Sequence, residues 1–292
     1  MNIVAYVDEA GEKGFSRNLI PDCDPKIGLM CALAYPAEKL EQLREAYRDG
    51  FDRFCAGAPA GEKIHFTSAF KPGNEAWAIV AHVVREEFFQ LIRTQTIPII
   101  YDARRLALQR EGHERLETLK AEAKKAKQSR IRIPERPSAA KIETQLIEGL
   151  TLKLDALAID LNCAMLDLYF DEIDIGLSQH YEQTIERLRH INANTDIVKG
   201  YDPSTKQQVS GSISLTVGNA GFDIDIKRIG KIKVIGKDDP LILATDAVAN
   251  HLYRHLSGLL PNAKLNAPSS IEAWDLSDRV WGVREDAIED II

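Results

Sequence analysis

Asn2-Ile3-Val4-Ala5-Tyr6-Val7-Asp8-Glu9-Ala10-Gly11 opens the chain, and its reading decides the fold. A mostly apolar, partly β-branched run leads straight into two carboxylates and a small-residue turn. A run without charge predicts a central strand, apolar on both faces. Asp8 and Glu9 then fall at its C-terminal end, where Ala10-Gly11 lets the backbone bend sharply. Carboxylates at the end of a buried strand are costly unless solvent or a cation neutralises them. A divalent metal is one such cation; an ordinary solvated turn is the plain alternative.

The sequence beyond this strand bounds the answer. A chain of 292 residues holds one large domain with insertions, or two domains. A net charge of −7 excludes a generic polyanion binder, so any nucleic-acid contact must come from local basic patches. Cys23, Cys31, Cys55 and Cys163 show no paired metal-type spacing and read as free thiols of a reducing compartment. No run approaches about 18 apolar residues and no basic leader precedes an apolar core, so neither a membrane span nor a secretion signal is expected. The expected location is cytoplasmic.

Working outward, residues 27–35 read as a second buried strand, hairpin-paired with the first. Pro36 ends it, and residues 38–54 carry a helical apolar period. Glu62-Lys63-Ile64-His65-Phe66 reads as a short extended piece that offers a ligand or base. Residues 74–93 form a strongly amphipathic helix and 96–101 a further strand. Residues 164–171 repeat the opening pattern: an apolar strand ending in Asp171 and Glu172. Alternation places Asp167, Tyr169 and Asp171 on one face. Parallel neighbours in an α/β sheet bring their C-terminal ends together, where ligands bind.

Two stretches carry the remaining chemistry. Between 103 and 140, Lys120, Lys124, Lys125, Lys127, Arg130 and Arg132 cluster against few acids. They predict a charged helical arm, either a solvated face or a contact for a nucleic-acid backbone. Asp238-Asp239-Pro240 is the clearest helix start in the chain. The helix that follows, 241–256, carries Asp246 among small and apolar residues, which predicts close packing on the sheet and a metal or catalytic role. A buried structural hydrogen bond is its alternative. His251 and His255 stand four apart, a zinc-compatible spacing, but no third ligand is near in sequence. No Walker loop, GxGxxG fingerprint or GxSxG elbow is present.

Four of these segments resemble, in order, the motifs of the domain of unknown function 3800 family, whose members are thought to be RNase H-like. Tyr6-Val7-Asp8-Glu9-Ala10-Gly11 is similar to its YxDESG opening, and Ile64-His65-Phe66 to its E-[LI]-H motif. Phe170-Asp171-Glu172 resembles its late strand ending in Asp, and Ala244-Thr245-Asp246-Ala247-Val248-Ala249 its A-D-x-[VI]-A helix. Ala10 stands where the family has Ser. The family Glu of the second motif falls on Lys63, with Glu62 one residue earlier; on a strand, that slip turns the side chain to the other face.

The resemblance implies an α/β, RNase H-like mixed sheet with flanking helices over residues 1–258, with a basic helical insertion at about 103–140. Residues 259–292 are expected to pack on it as a tail. It implies that Asp8, Asp171 and Asp246 hold one or two Mg²⁺ or Mn²⁺ ions for phosphodiester hydrolysis of DNA or RNA. Glu9, Glu172 and His65 would be supporting or proton-transfer groups, and Glu62 the family's further carboxylate where a local bulge restores it; without one that ligand is missing and three acids do the work. A defence or mobile-element effector with a regulatory protein partner is the context that it suggests. The alternatives are a catalytically degenerate fold that binds nucleic acid or a partner protein, and a metal phosphoesterase acting on a nucleotide.

Overall fold

The computed structural model describes residues 1–11, 26–106, 118, 142–189, 195–202, 207–214, 226–236 and 238–281, with the backbone alone at 195–202 and 207–214. The element order is β1 (Asn2–Gly11), β2 (Ile27–Pro36), α1 (Leu40–Ala56), α2 (Phe66–Ala69), α3 (Glu75–Thr94), β3 (Ile99–Arg105), α4 (Ile142–Asp160), β4 (Met165–Asp171), α5 (Ile175–Arg189), β5 (Thr195–Asp202), β6 (Gln207–Ser214), β7 (Ile229–Ile235) and α6 (Pro240–Ser257).

The fold is α/β. Five strands form one mixed sheet in the order β3-β2-β1-β4-β7, while β5 and β6 pair as a separate hairpin. β1 runs antiparallel to β2 and parallel to β4. It therefore lies inside the sheet, as its uncharged run predicts, and Ile3 to Val7 are buried on both faces. The return to β2 is permitted by Gly11 at φ +85; a Cβ there would meet the Ile27 carbonyl oxygen at 2.3 Å and the Tyr253 ring at 2.5 Å.

Helices cover both faces. Val4 and Tyr6 point, with Leu29, Cys31, Leu33 and Tyr35 of β2, into a core closed by α1, α3 and α6. Ile3, Ala5 and Val7 point, with Leu166, Leu168 and Phe170 of β4, into a second core closed by α4 and α5. Each wholly buried Leu, Ile or Phe in these layers contributes about 1.5–3 kcal/mol relative to exposure. The alternation read for 164–171 holds, since Asp167, Tyr169 and Asp171 share the face opposite Leu166, Leu168 and Phe170. β3 begins three residues later than the apolar run at 96 suggests, because Thr96 takes a left-handed φ of 52 at the end of α3.

Residues 259–281 lie along β3 and the helices beside it, with Leu265, Ile271, Trp274 and Leu276 buried. The Asn266 side-chain amide accepts from Ala103 N–H at 3.0 Å and donates to Ala103 C=O at 2.9 Å. Trp281 N–H donates to Ile99 C=O at 2.9 Å. Lys153 of α4 reaches the same strand, donating to Tyr101 C=O at 2.7 Å, to Asp102 Oδ1 at 3.1 Å and to Asn266 Oδ1 at 3.0 Å. Cys31, Cys55 and Cys163 are free thiols; Cys23 lies outside the described residues. Among the described residues no helix is long and apolar enough to cross a membrane. The six basic residues Lys120, Lys124, Lys125, Lys127, Arg130 and Arg132 also lie outside the described residues.

Candidate active site

β1 and β4 bring two carboxylates together by register alone. Tyr6 pairs with Tyr169 and Val7 with Phe170, so one step further places Asp8 beside Asp171. Parallel neighbours are about 4.8 Å apart in the pairing direction. Side chains at equivalent positions of such strands share a face, and here it is the face that α6 covers.

The start of α6 is tied to the same strand. Asp239 is its N-cap, with Oδ1 accepting from Leu241 N–H at 3.0 Å, and Pro240 takes the first helical position. Asp239 Oδ2 accepts from the Tyr6 hydroxyl at 3.0 Å and from Arg44 Nε at 3.0 Å. Beyond this anchor, Ala244, Thr245, Ala247 and Ala249 are wholly buried, and such small side chains let the helix lie close on β1 and β2. Seven residues along a helix cover about 10 Å, and two along a strand about 7 Å. The Tyr6–Asp239 tie thus sets Asp246 over the strand end that carries Asp8.

The electrostatics follow from this convergence. Burial, then the Asp246 and Asp171 carboxylates, push the Asp8 carboxyl well above its ordinary value. The charges that weigh most on it are all anionic, while the side chain keeps part of its surface open to solvent. Hard carboxylate oxygens of this kind are the donor set that Mg²⁺ or Mn²⁺ prefers. Yet among the described residues no group of three or more His, Cys, Asp or Glu side chains is spaced to hold a metal ion as it stands. The donor chemistry fits a divalent cation, and the carboxylates would have to draw inward around one.

Asp246 is only 6 % exposed and is already half used. Its Oδ2 accepts from the backbone N–H of Phe66 at 2.7 Å and lies 3.4 Å from His65 Nδ1. One turn further along α6, Asn250 Nδ2 donates to Thr67 Oγ1 at 2.8 Å. The segment read as extended at 62–66 is therefore a loop that enters the single helical turn of α2, with His65 at the N-cap position. Strand parity does not apply to it, so the one-residue slip between Lys63 and Glu62 carries no meaning of side. Glu62 instead pairs with Lys71 at 2.9 Å on the loop surface.

Of the residues singled out in the sequence, the structure gathers Asp8, Asp171, Asp246 and His65 on one face of the sheet. Glu9 is not among them. Alternation turns it to the opposite face, where the Tyr181 hydroxyl donates to it. Glu172 is exposed and gives its backbone N–H to Asp171 Oδ1 at 2.8 Å. His251 and His255 do not converge on a zinc position. His251 Nδ1 accepts from Trp274 Nε1–H at 3.0 Å, and His255 Nε2 donates to Ser270 C=O at 2.8 Å. Arg44 and Thr67 were invisible from sequence. Asn250 had a signal, standing four residues after Asp246 on the same helix face.

Comparison of the chain with protein-family models, with curated proteins and with solved structures gives no match.

Proposed function

We propose that this protein is a divalent-metal-dependent nuclease of RNase H-like design that hydrolyses phosphodiester bonds of DNA or RNA. The observation that carries this is the Asp8 carboxyl, held at a strand end where strand register brings Asp171 alongside and where Asp246 and Asp171 are the charges that weigh most on it. Three carboxylates from two parallel strands and one helix are a costly arrangement without a counter-ion. The four sequence motifs that resemble the domain of unknown function 3800 family meet on this face, which supports the same assignment. Bound Mg²⁺ or Mn²⁺ would supply Lewis-acid activation of water and stabilisation of the leaving oxygen.

The chain's own residues divide the work. Asp8 and Asp171 would hold the cation from the sheet, and Asp246 would offer Oδ1, since Oδ2 accepts from Phe66 N–H and lies beside His65. His65 sits beside that carboxylate as the group best placed to pass a proton. Lys120, Lys124, Lys125, Lys127, Arg130 and Arg132 would hold the substrate backbone.

Cleavage of labelled single- and double-stranded DNA and RNA by the full chain, with Mg²⁺ or Mn²⁺ and with EDTA, tests the proposal. Metal-dependent products that disappear in EDTA and in Asp246→Asn are expected. A protein that binds these substrates without cutting them would favour the second assignment, a degenerate nucleic-acid-binding fold. The Phe66 N–H bond favours that second assignment, because it gives Asp246 a structural task of its own.

A further inference from the structure

A pocket of about 450 Å³ opens between α3, α6 and the C-terminal segment, lined by Arg85, His251, Arg254, His255, Ala273, Trp274 and Asp275. It adjoins the carboxylate site through one stripe of α6. Asp246, Asn250 and Arg254 follow at four-residue spacing, and all three meet the same short segment. Asp246 takes Phe66 N–H, Asn250 bonds Thr67, and the Arg254 guanidinium stacks 4.3 Å over the Phe70 ring.

The polar groups of this pocket are held in place but not used up. Among the described residues Arg254 forms no ion pair, and the stack on Phe70 fixes its plane while leaving its N–H edge open. Arg85 is positioned 5.9 Å over the Phe89 ring and pairs with Glu86 at 3.0 Å. Burial and the like charge of Arg85 pull Arg254 below its ordinary value, while Arg85 itself is paired with Glu86. His251 accepts the Trp274 N–H on Nδ1, which leaves Nε2 as a donor. Asp275 opposes them, its carboxylate 3.7 Å from His251 Nε2.

We propose that this pocket is a phosphate-binding subsite, holding a backbone phosphate of the strand whose reacting bond lies at Asp246. Planar guanidinium groups match phosphate oxygens. Arg254 lies eight residues beyond Asp246, about 12 Å along the helix axis. The subsite rests on the nuclease assignment for its substrate, while the phosphate chemistry stands on the pocket.

The test uses the full chain in EDTA, which blocks cleavage, and two probes. Inorganic phosphate is titrated by calorimetry, and a fluorescein-labelled oligonucleotide is followed by anisotropy over a salt series. Arg254→Gln and Arg85→Gln should each weaken the oligonucleotide on the order of tenfold. Each should also make the slope of log affinity against log salt shallower by about 0.7. Asp275→Asn should tighten binding, an opposite sign that partial unfolding cannot produce. If wild type binds the oligonucleotide and none of the three substitutions changes affinity or slope, the subsite is refuted and the nuclease assignment stands. If phosphate binds and Arg254→Gln weakens it while no oligonucleotide binds, the pocket takes free phosphate and its assignment to a strand falls, while metal-dependent cleavage decides the nuclease assignment. Binding of neither probe overturns the subsite.

Discussion

The backbone N–H of Phe66 donates to Asp246 Oδ2 at 2.7 Å, so the carboxylate that faces Asp8 also fixes the entry to α2. One side chain thus joins the candidate site to the segment before α3. Asn at 246 keeps an oxygen for the Phe66 N–H and removes one of three converging charges. Asp246→Asn should abolish metal-dependent cleavage while the apo melting temperature holds or rises. Melts with and without Mn²⁺ check this. Ligand binding raises the melting temperature of wild type by mass action, and the increment should vanish in the variant. An equal increment in both proteins would remove Asp246 from the metal.

The raised Asp8 carboxyl makes a signed prediction for pH. A carboxyl whose folded value lies above its unfolded one binds its proton more tightly in the folded protein. Its contribution is fully present below the ordinary carboxyl value and is lost as pH rises through the raised one. Metal-free protein should therefore gain stability as pH falls through that window, before other groups unfold it. Asp8→Asn should flatten this part of the profile. Metal must displace the proton, so Mn²⁺ affinity should rise with pH across the same window. Denaturant melts at stepped pH and Mn²⁺ titrations read the two effects.

Gly11 sits where β1 ends and α6 passes. Gly11→Ala would press a methyl group onto the Ile27 carbonyl oxygen and the Tyr253 ring from an unfavourable φ. The expected cost is about 1–3 kcal/mol. Because Tyr253 belongs to the helix that carries Asp246, cleavage should fall further than the lost stability explains. Folded fraction from circular dichroism, compared with the rate of cleavage, separates the two.

Lys153 is a buried cation whose burial lowers its pKa against the pull of Asp102. Lys153→Met keeps the volume but leaves Asp102, 1 % exposed, with Arg104 as its remaining charged partner among the described residues. Removing one member of a buried pair costs about 3 kcal/mol. The variant should also free Asn266, and limited proteolysis should cut the segment after α6 sooner than in wild type.

Much of this arrangement was legible because period-two and period-3.6 patterns report burial directly. The run ending in Asp8 carries no charge until its last positions, and the run ending in Asp171 carries only Asp167 before it, on the face that alternation assigns to polar residues, which fixes both strands and the end where the acids emerge. Asp239-Pro240 declares a helix start for a local reason, the shape of the N-cap. Glu9 was misjudged because adjacency in sequence is opposition across a sheet. The stretch from Glu62 to Phe66 was misjudged because five residues are too few to show a period. What settles its shape is a distant carboxylate that accepts the Phe66 N–H, and no local pattern encodes that partner. The Tyr6–Arg44–Asp239 tie was hidden for the same reason, its members being separated by 38 and 195 positions.

The Asn266 amide on Ala103 has a consequence for how copies of the chain behave at high concentration. It occupies peptide groups of β3 that would otherwise be a template for a strand from a neighbouring molecule. The opposite margin of the sheet, β7, carries Lys231 and Lys233 on its exposed stretch, a charge barrier to the same event. The two margins are thus guarded by unlike means, one by a removable chain segment and one by repulsion that salt can screen. Shortening the protein to end before Pro261 should make it self-associate at low salt, where the intact chain stays dispersed. High salt should act on the other margin alone.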